Sequence, residues 1–204
     1  MVSIAQIPTQ NILKRILRIQ AITVAWMSVE AVLSLWAAWT ARSPALAAFG
    51  GDSAVELMSA AVVLWRFRIR ASEHAEKRAA RIAGGLLFAL IAYVVLASGL
   101  SLLGYSEPRT SYLGMVVLVG AAIIMPVLAN EKRRLSALTG SAALRADAAE
   151  SALCAYLSII ALMGLLVRAV WHIAWPDPVA ALAITPLIAF EAREAWRGKR
   201  CSCC

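Results

Sequence analysis

With 61% hydrophobic residues and a mean hydropathy of +0.74 over 204 positions, the chain carries more apolar side chain than a soluble domain of this length can bury. Its formal net charge is +8, from 20 basic against 12 acidic residues. The basic residues cluster in short segments between apolar runs, which argues for membrane orientation and against nucleic-acid binding.

The apolar runs fall at 20–40, 45–65, 82–104, 111–130, 142–167 and 177–196. Each is close to the ~20 residues that a helix needs to cross about 30 Å of hydrocarbon. Continuous runs of this length do not read as barrel strands, and open sheet edges are excluded from lipid. The expected fold class is an all-α integral membrane protein with six transmembrane helices. Its parts are a cytosolic N-terminal segment at 1–19, a transport domain at 20–196 and a basic, cysteine-rich cytosolic tail at 197–204. No cleavable signal peptide is read at the N-terminus, because the first apolar stretch is too long and no small-residue cleavage site follows it.

The first segment carries Lys14, Arg15 and Arg18, and Glu30 stands near the middle of span one. Ser43-Pro44 is a turn and helix start. Span two holds Asp52 and Glu56, and the connection after it carries Arg66, Arg68, Arg70, Lys77, Arg78 and Arg81. Ser106-Glu107-Pro108 separates spans three and four. Lys132, Arg133 and Arg134 follow span four, and span five holds Asp147, Glu150 and Cys154. Trp175-Pro176-Asp177-Pro178 opens span six, with Trp171 and Trp175 suited to the membrane interface. Pro126 and Pro186 are candidates for kinks. The other connections hold only Arg42, Arg109 and Arg168, so positive-inside counting places both termini in the cytosol.

Asp52 with Glu56, and Glu150 with Cys154, are both spaced i, i+4, so each pair lies on one helix face. Ionisable groups at membrane depth are costly, and function is the default reading for them. Asp52 lies about 12 Å along span two from Pro44, and Glu150 about 14 Å along span five from Ser141, at 1.5 Å per residue. The two helices run antiparallel, so the pairs meet near the midplane, Asp52 level with Cys154 and Glu56 level with Glu150. Together they supply four ligands, the number a tetrahedral zinc-type site takes. Asp147 with Glu150, at i, i+3, is an alternative pair. Asp147 also reads as a helix-dipole partner or a partner for Arg145. Cys154 alone reads as a small core hydrophobe. Glu30 reads equally as a fifth polar group, a proton relay or a packed acid. Cys201, Cys203 and Cys204 read as a soft-metal collecting tail, a lipidation target or a passive end.

At these residues the chain resembles the cation diffusion facilitators, proton-coupled exporters of divalent metals. The family's second helix carries an acid or His followed four residues later by an acid, matched by Asp52 and Glu56. Its fifth helix reads Arg-Ala-Asp, two residues, His, three residues, Asp. Arg145, Ala146 and Asp147 match the opening, Glu150 takes the His position and Cys154 takes the Asp position. Asp177-Pro178-Val179-Ala180-Ala181 is a further family-like stretch. No soluble metal-binding domain follows span six before Cys204, so the likeness is to short members. In those, homodimerisation rests on the membrane helices.

The resemblance implies a metal/proton antiporter working by alternating access, in a bacterial inner membrane, with divalent cations and protons as partners and no prosthetic group. Four charged ligands cannot persist bare in a low-dielectric core, so metal and protons compete for one site. A thiolate at Cys154 favours Zn²⁺ or Cd²⁺ over Mg²⁺ or Ca²⁺. Zinc is the ion expected, with Cd²⁺, Co²⁺, Fe²⁺ and Mn²⁺ open. Two readings from other classes stand beside it: an intramembrane Mg²⁺ enzyme acting on a lipid phosphate, and a non-transporting metal sensor or scaffold.

Overall fold

A computed structural model describes residues 10–69, 73–139 and 142–196. Six helices follow in order: α1 (Gln10–Ala41), α2 (Pro44–Ile69), α3 (Glu73–Leu102), α4 (Tyr112–Thr139), α5 (Ala142–Trp171) and α6 (Pro176–Trp196). Cys201, Cys203 and Cys204 lie outside the described residues, as do the first nine residues. Four stretches, Lys14–Ala41, Gly84–Leu102, Tyr112–Thr139 and Asp147–Trp171, are long and apolar enough to cross a membrane by length and composition.

The helix ends are written in local chemistry. Ser43 caps α2, its Oγ accepting the Leu46 N–H at 3.2 Å with Pro44 at the first helical position. Ser111 caps α4 in the same way through Gly114 N–H at 3.1 Å. At the end of α3, Tyr105 N–H bonds to Leu100 O and Gly104 N–H to Ser101 O. That pairing needs a left-handed residue, and Gly104 supplies it with φ 83°. His172 does the same for α5, at φ 57° with its N–H on Arg168 O, so its place is a helix cap. Both α4 and α6 continue through their internal prolines, Pro126 and Pro186.

The helices form a circuit in which α1 touches α2 and α4, α3 touches α2 and α6, and α5 touches α4 and α6. α2 reaches across it to α5 and α6, which makes it the helix with most neighbours. Small residues permit this closeness, as lipid gives no hydrophobic drive for helices to associate. Ala45, Ala48, Ala121, Ala161 and Ala181 are fully buried. A Cβ at Gly50 would stand 2.5 Å from Ser34 Oγ and 3.0 Å from Leu35 N, so glycine sets the approach of α2 to α1.

The connections converge at two opposite ends. At one, Ser43 and the Ala45 N–H both bond Asp177 Oδ1 (2.9 and 3.2 Å), and Arg109 N–H bonds Ala41 O. At the other, Arg15 pairs with Glu131 and Gln20 with Asp147. Lys132, read from sequence as part of a loop, is instead fully buried within α4. Its Nζ lies 2.9 Å from Asp147 Oδ1 and 2.9 Å from Ser151 Oγ. The helix runs on past the apolar stretch, and its charged continuation packs against α5.

Candidate metal centre

The shared end at Ser43 and Asp177 makes α2 and α6 parallel neighbours. Counting from Pro44, Asp52 lies about 12 Å along α2 and Glu56 about 18 Å. Counting from Pro176, Glu191 lies about 22 Å along α6. Glu56 and Glu191 therefore lie within a turn of each other, and Asp52 stands about one turn before Glu56 on the same helix. A carboxylate oxygen from each of Asp52, Glu56 and Glu191 lies within 4.8 Å of the others. Asp52 is buried, and among the described residues Glu191 is the one side chain against its carboxylate oxygens, and Glu56 Oε1 lacks a hydrogen-bond partner.

Glu191 was missed by sequence reading. It stands near the end of an apolar run, two residues before Arg193, and looks like interfacial charge. The signal that finds it is register: parallel α2 and α6 starting at a common end bring Glu56 and Glu191 within a turn of one another.

Glu30 of α1 lies beside this cluster, fully buried. Its Oε1 accepts from Ser53 Oγ at 2.8 Å and from Cys154 Sγ at 3.3 Å, and its Oε2 from Trp26 Nε1 at 2.6 Å. Ser53 follows Asp52 in the chain, so the α5 thiol does reach the level of Asp52. It is engaged there as a donor to Glu30. Glu150 is exposed, yet close enough to Glu56 and Glu191 to interact with both through space. Exposure thus rises from Asp52, buried, through Glu56 and Glu191, half-buried, to Glu150. Asp147 belongs elsewhere: its oxygens are taken by Lys132 and Gln20. A groove of about 640 Å³ at the opposite end, lined by Trp39, Arg42, Tyr93 and Arg109 among others, contains none of these acids.

A helical bundle with stretches long and apolar enough to cross a membrane defines a class, the integral membrane proteins. The family model of the cation efflux transmembrane domain matches residues 21–197. The chain belongs to that family, the cation diffusion facilitators, and is an integral membrane protein. It is 26% identical over 185 residues to the manganese efflux system protein MneS of Bacillus subtilis (strain 168). The match covers 86% of this chain and 62% of that relative's length.

Proposed function

We propose that the chain exports a divalent metal cation in exchange for protons, with Asp52 and Glu56 at the heart of the transport site. The observation that carries this is Asp52, buried with only other carboxylates against its oxygens. Bare like charges at that depth are untenable, and either a cation or protons must compensate them. A site that holds metal in one state and protons in the other becomes an exchanger once it faces each side of the membrane in turn. The rise in exposure towards Glu150 supplies a path by which cations and water reach the cluster.

The transport unit is 20–196, with six spans, cytosolic termini and a second copy joined through membrane helices, in the bacterial inner membrane. On spacing alone, Glu150 and Cys154 would complete a four-ligand set with Asp52 and Glu56. Zinc, the ion that set favours, calls for Cys154 as a thiolate. Manganese, the ion in the relative's name, does not.

The test is metal flux in proteoliposomes under an imposed pH gradient. Wild type is expected to move at least one of Zn²⁺, Mn²⁺, Cd²⁺ and Co²⁺ faster as the gradient steepens, and Asp52→Ala to abolish that flux. Folded wild-type protein that moves none of the four ions sinks the exporter, and flux indifferent to the gradient sinks the antiport.

A further inference from the structure

Three carboxylates converge on one point, and the thiol expected to join them is engaged elsewhere. We infer that Glu191 is a ligand of the transported cation, and that Asp52, Glu56 and Glu191 form an all-oxygen set from which Cys154 is absent. The cargo is then an oxygen-preferring divalent cation of the Mn²⁺ kind. This rests on the exporter reading, and adds to it the third ligand and the chemical class of the metal.

The first argument is geometric. Glu191 comes from α6, a helix that the two-pair reading leaves out of the site. Its carboxylate nevertheless lies within 4.8 Å of both α2 acids, closer company than like charges keep without something between them. The second argument is the state of the acceptors. Among the described residues, buried Asp52 meets no donor outside the acidic cluster, its one side-chain partner being Glu191, and Glu56 Oε1 has none. Buried acceptors are satisfied in the great majority of cases, and a cation satisfies three carboxylates at once. Three such groups offer up to six oxygens, and an oxygen shell is the environment that Mn²⁺, Mg²⁺ and Ca²⁺ take.

The third argument concerns the sulfur. Cys154 Sγ is held 3.3 Å from Glu30 Oε1, and it is not among the ligand atoms that lie within 4.8 Å of one another. The donor set at the cluster is therefore oxygen alone, and softness confers no advantage there.

The experiment measures binding, using Mn²⁺ as the hard probe and Cd²⁺ as the soft one, on purified full-length protein in detergent. Mn²⁺ is followed by loss of its aqueous electron-paramagnetic-resonance signal and Cd²⁺ by equilibrium dialysis, with elution profiles confirming that each variant is folded. Glu191→Gln is expected to weaken both ions at least about tenfold, on the scale seen when groups at metal sites are removed. Cys154→Ser is expected to leave both within about threefold, since no ligand is lost. Binding unchanged in Glu191→Gln overturns the assignment of Glu191. A Cys154→Ser protein that loses Cd²⁺ while keeping Mn²⁺ overturns the all-oxygen set, as does a wild type that takes Cd²⁺ and no Mn²⁺. Asp52→Ala separates the two levels of the argument. If it abolishes binding while Glu191→Gln leaves binding unchanged, the exporter site stands and only the third ligand falls. If Asp52→Ala binds both ions like wild type, the site itself falls.

Discussion

Glu30 decides what Cys154 is free to do. Its carboxylate gathers the Trp26 indole, the Ser53 hydroxyl and the Cys154 thiol, tying α1 to α2 and α5 one residue away from Asp52. Glu30→Leu removes the acceptor and strands three donors, each unmade bond costing about 1–3 kcal/mol. Glu30→Gln keeps an oxygen of the same reach. Freed of Glu30, the thiol can exchange its proton for a soft cation, the proton leaving to water. The preference for Cd²⁺ over Mn²⁺, read by competition dialysis, is therefore expected to rise at least about tenfold in Glu30→Leu, or 1.4 kcal/mol. It should stay near wild type in Glu30→Gln. An equal preference in all three proteins would mean that Glu30 does not hold the thiol back. This scale also shows what was legible beforehand. The approach of Asp52 to Glu56 followed from spacing on one helix, which needs no knowledge of the neighbours. The exposure of Glu150 and the engagement of Cys154 depend on how α5 is rotated about its axis, and i, i+4 spacing leaves that rotation open. Glu191 needed the register of two helices far apart in sequence.

At the level of helices, two polar ties hold the bundle, one at each end. Asp177 of α6 accepts from Ser43 and from the free N–H of Ala45, so one helix caps the start of another. This sets the register that makes Glu56 and Glu191 level. At the other end the buried Lys132 joins α4 to Asp147 and Ser151 of α5, and Asp147 accepts also from Gln20 of α1. The exposed Arg15–Glu131 pair nearby contributes little, as surface ion pairs do. The Lys132–Asp147 pair is different, because removing one partner leaves a charge stranded in the bundle. Asp147→Leu is expected to cost about 3 kcal/mol, the lower end for a broken buried pair, since Asp147 keeps some exposure. Lys132→Met with Asp147→Leu is expected to recover most of that stability, because two apolar side chains replace the pair. Thermal unfolding in detergent reads both, and a double variant no more stable than Asp147→Leu would refute the pairing. Here sequence pattern was a poor guide. A lysine next to Arg133 and Arg134 reads as a loop cation, and only packing against α5 distinguishes it from them.

Across the whole molecule, the two ends differ in kind. The end at which Ser43, Arg109 and Asp177 meet carries exposed aromatics from three connections: Trp39, Tyr105, Tyr112, Trp171 and Trp175. Such side chains, apolar in body and polar at the tip, settle at the membrane–water interface. The opposite end carries Lys14, Arg15, Arg18, Arg133 and Arg134 instead. Between them the flanks are apolar and outward-facing, with Val32, Leu96, Val116, Ile123 and Met163 exposed as lipid contact requires. The contacts joining α1 to α2, α6 and the α3–α4 connection at one end, and to α4 and α5 at the other, impose alternating helix directions. On the proposed topology, with the basic end held in the cytosol by the positive-inside bias, all six helices cross and the cluster opens inward past Glu150. Single cysteines test this in a protein whose native cysteines are replaced by serine. A cysteine at Ser106 is expected to react with a membrane-impermeant maleimide from outside intact cells. One at Arg133 should react only after the membrane is opened. Both sites reacting from the same side would break the alternation. The inward path to the acidic cluster would then need another route.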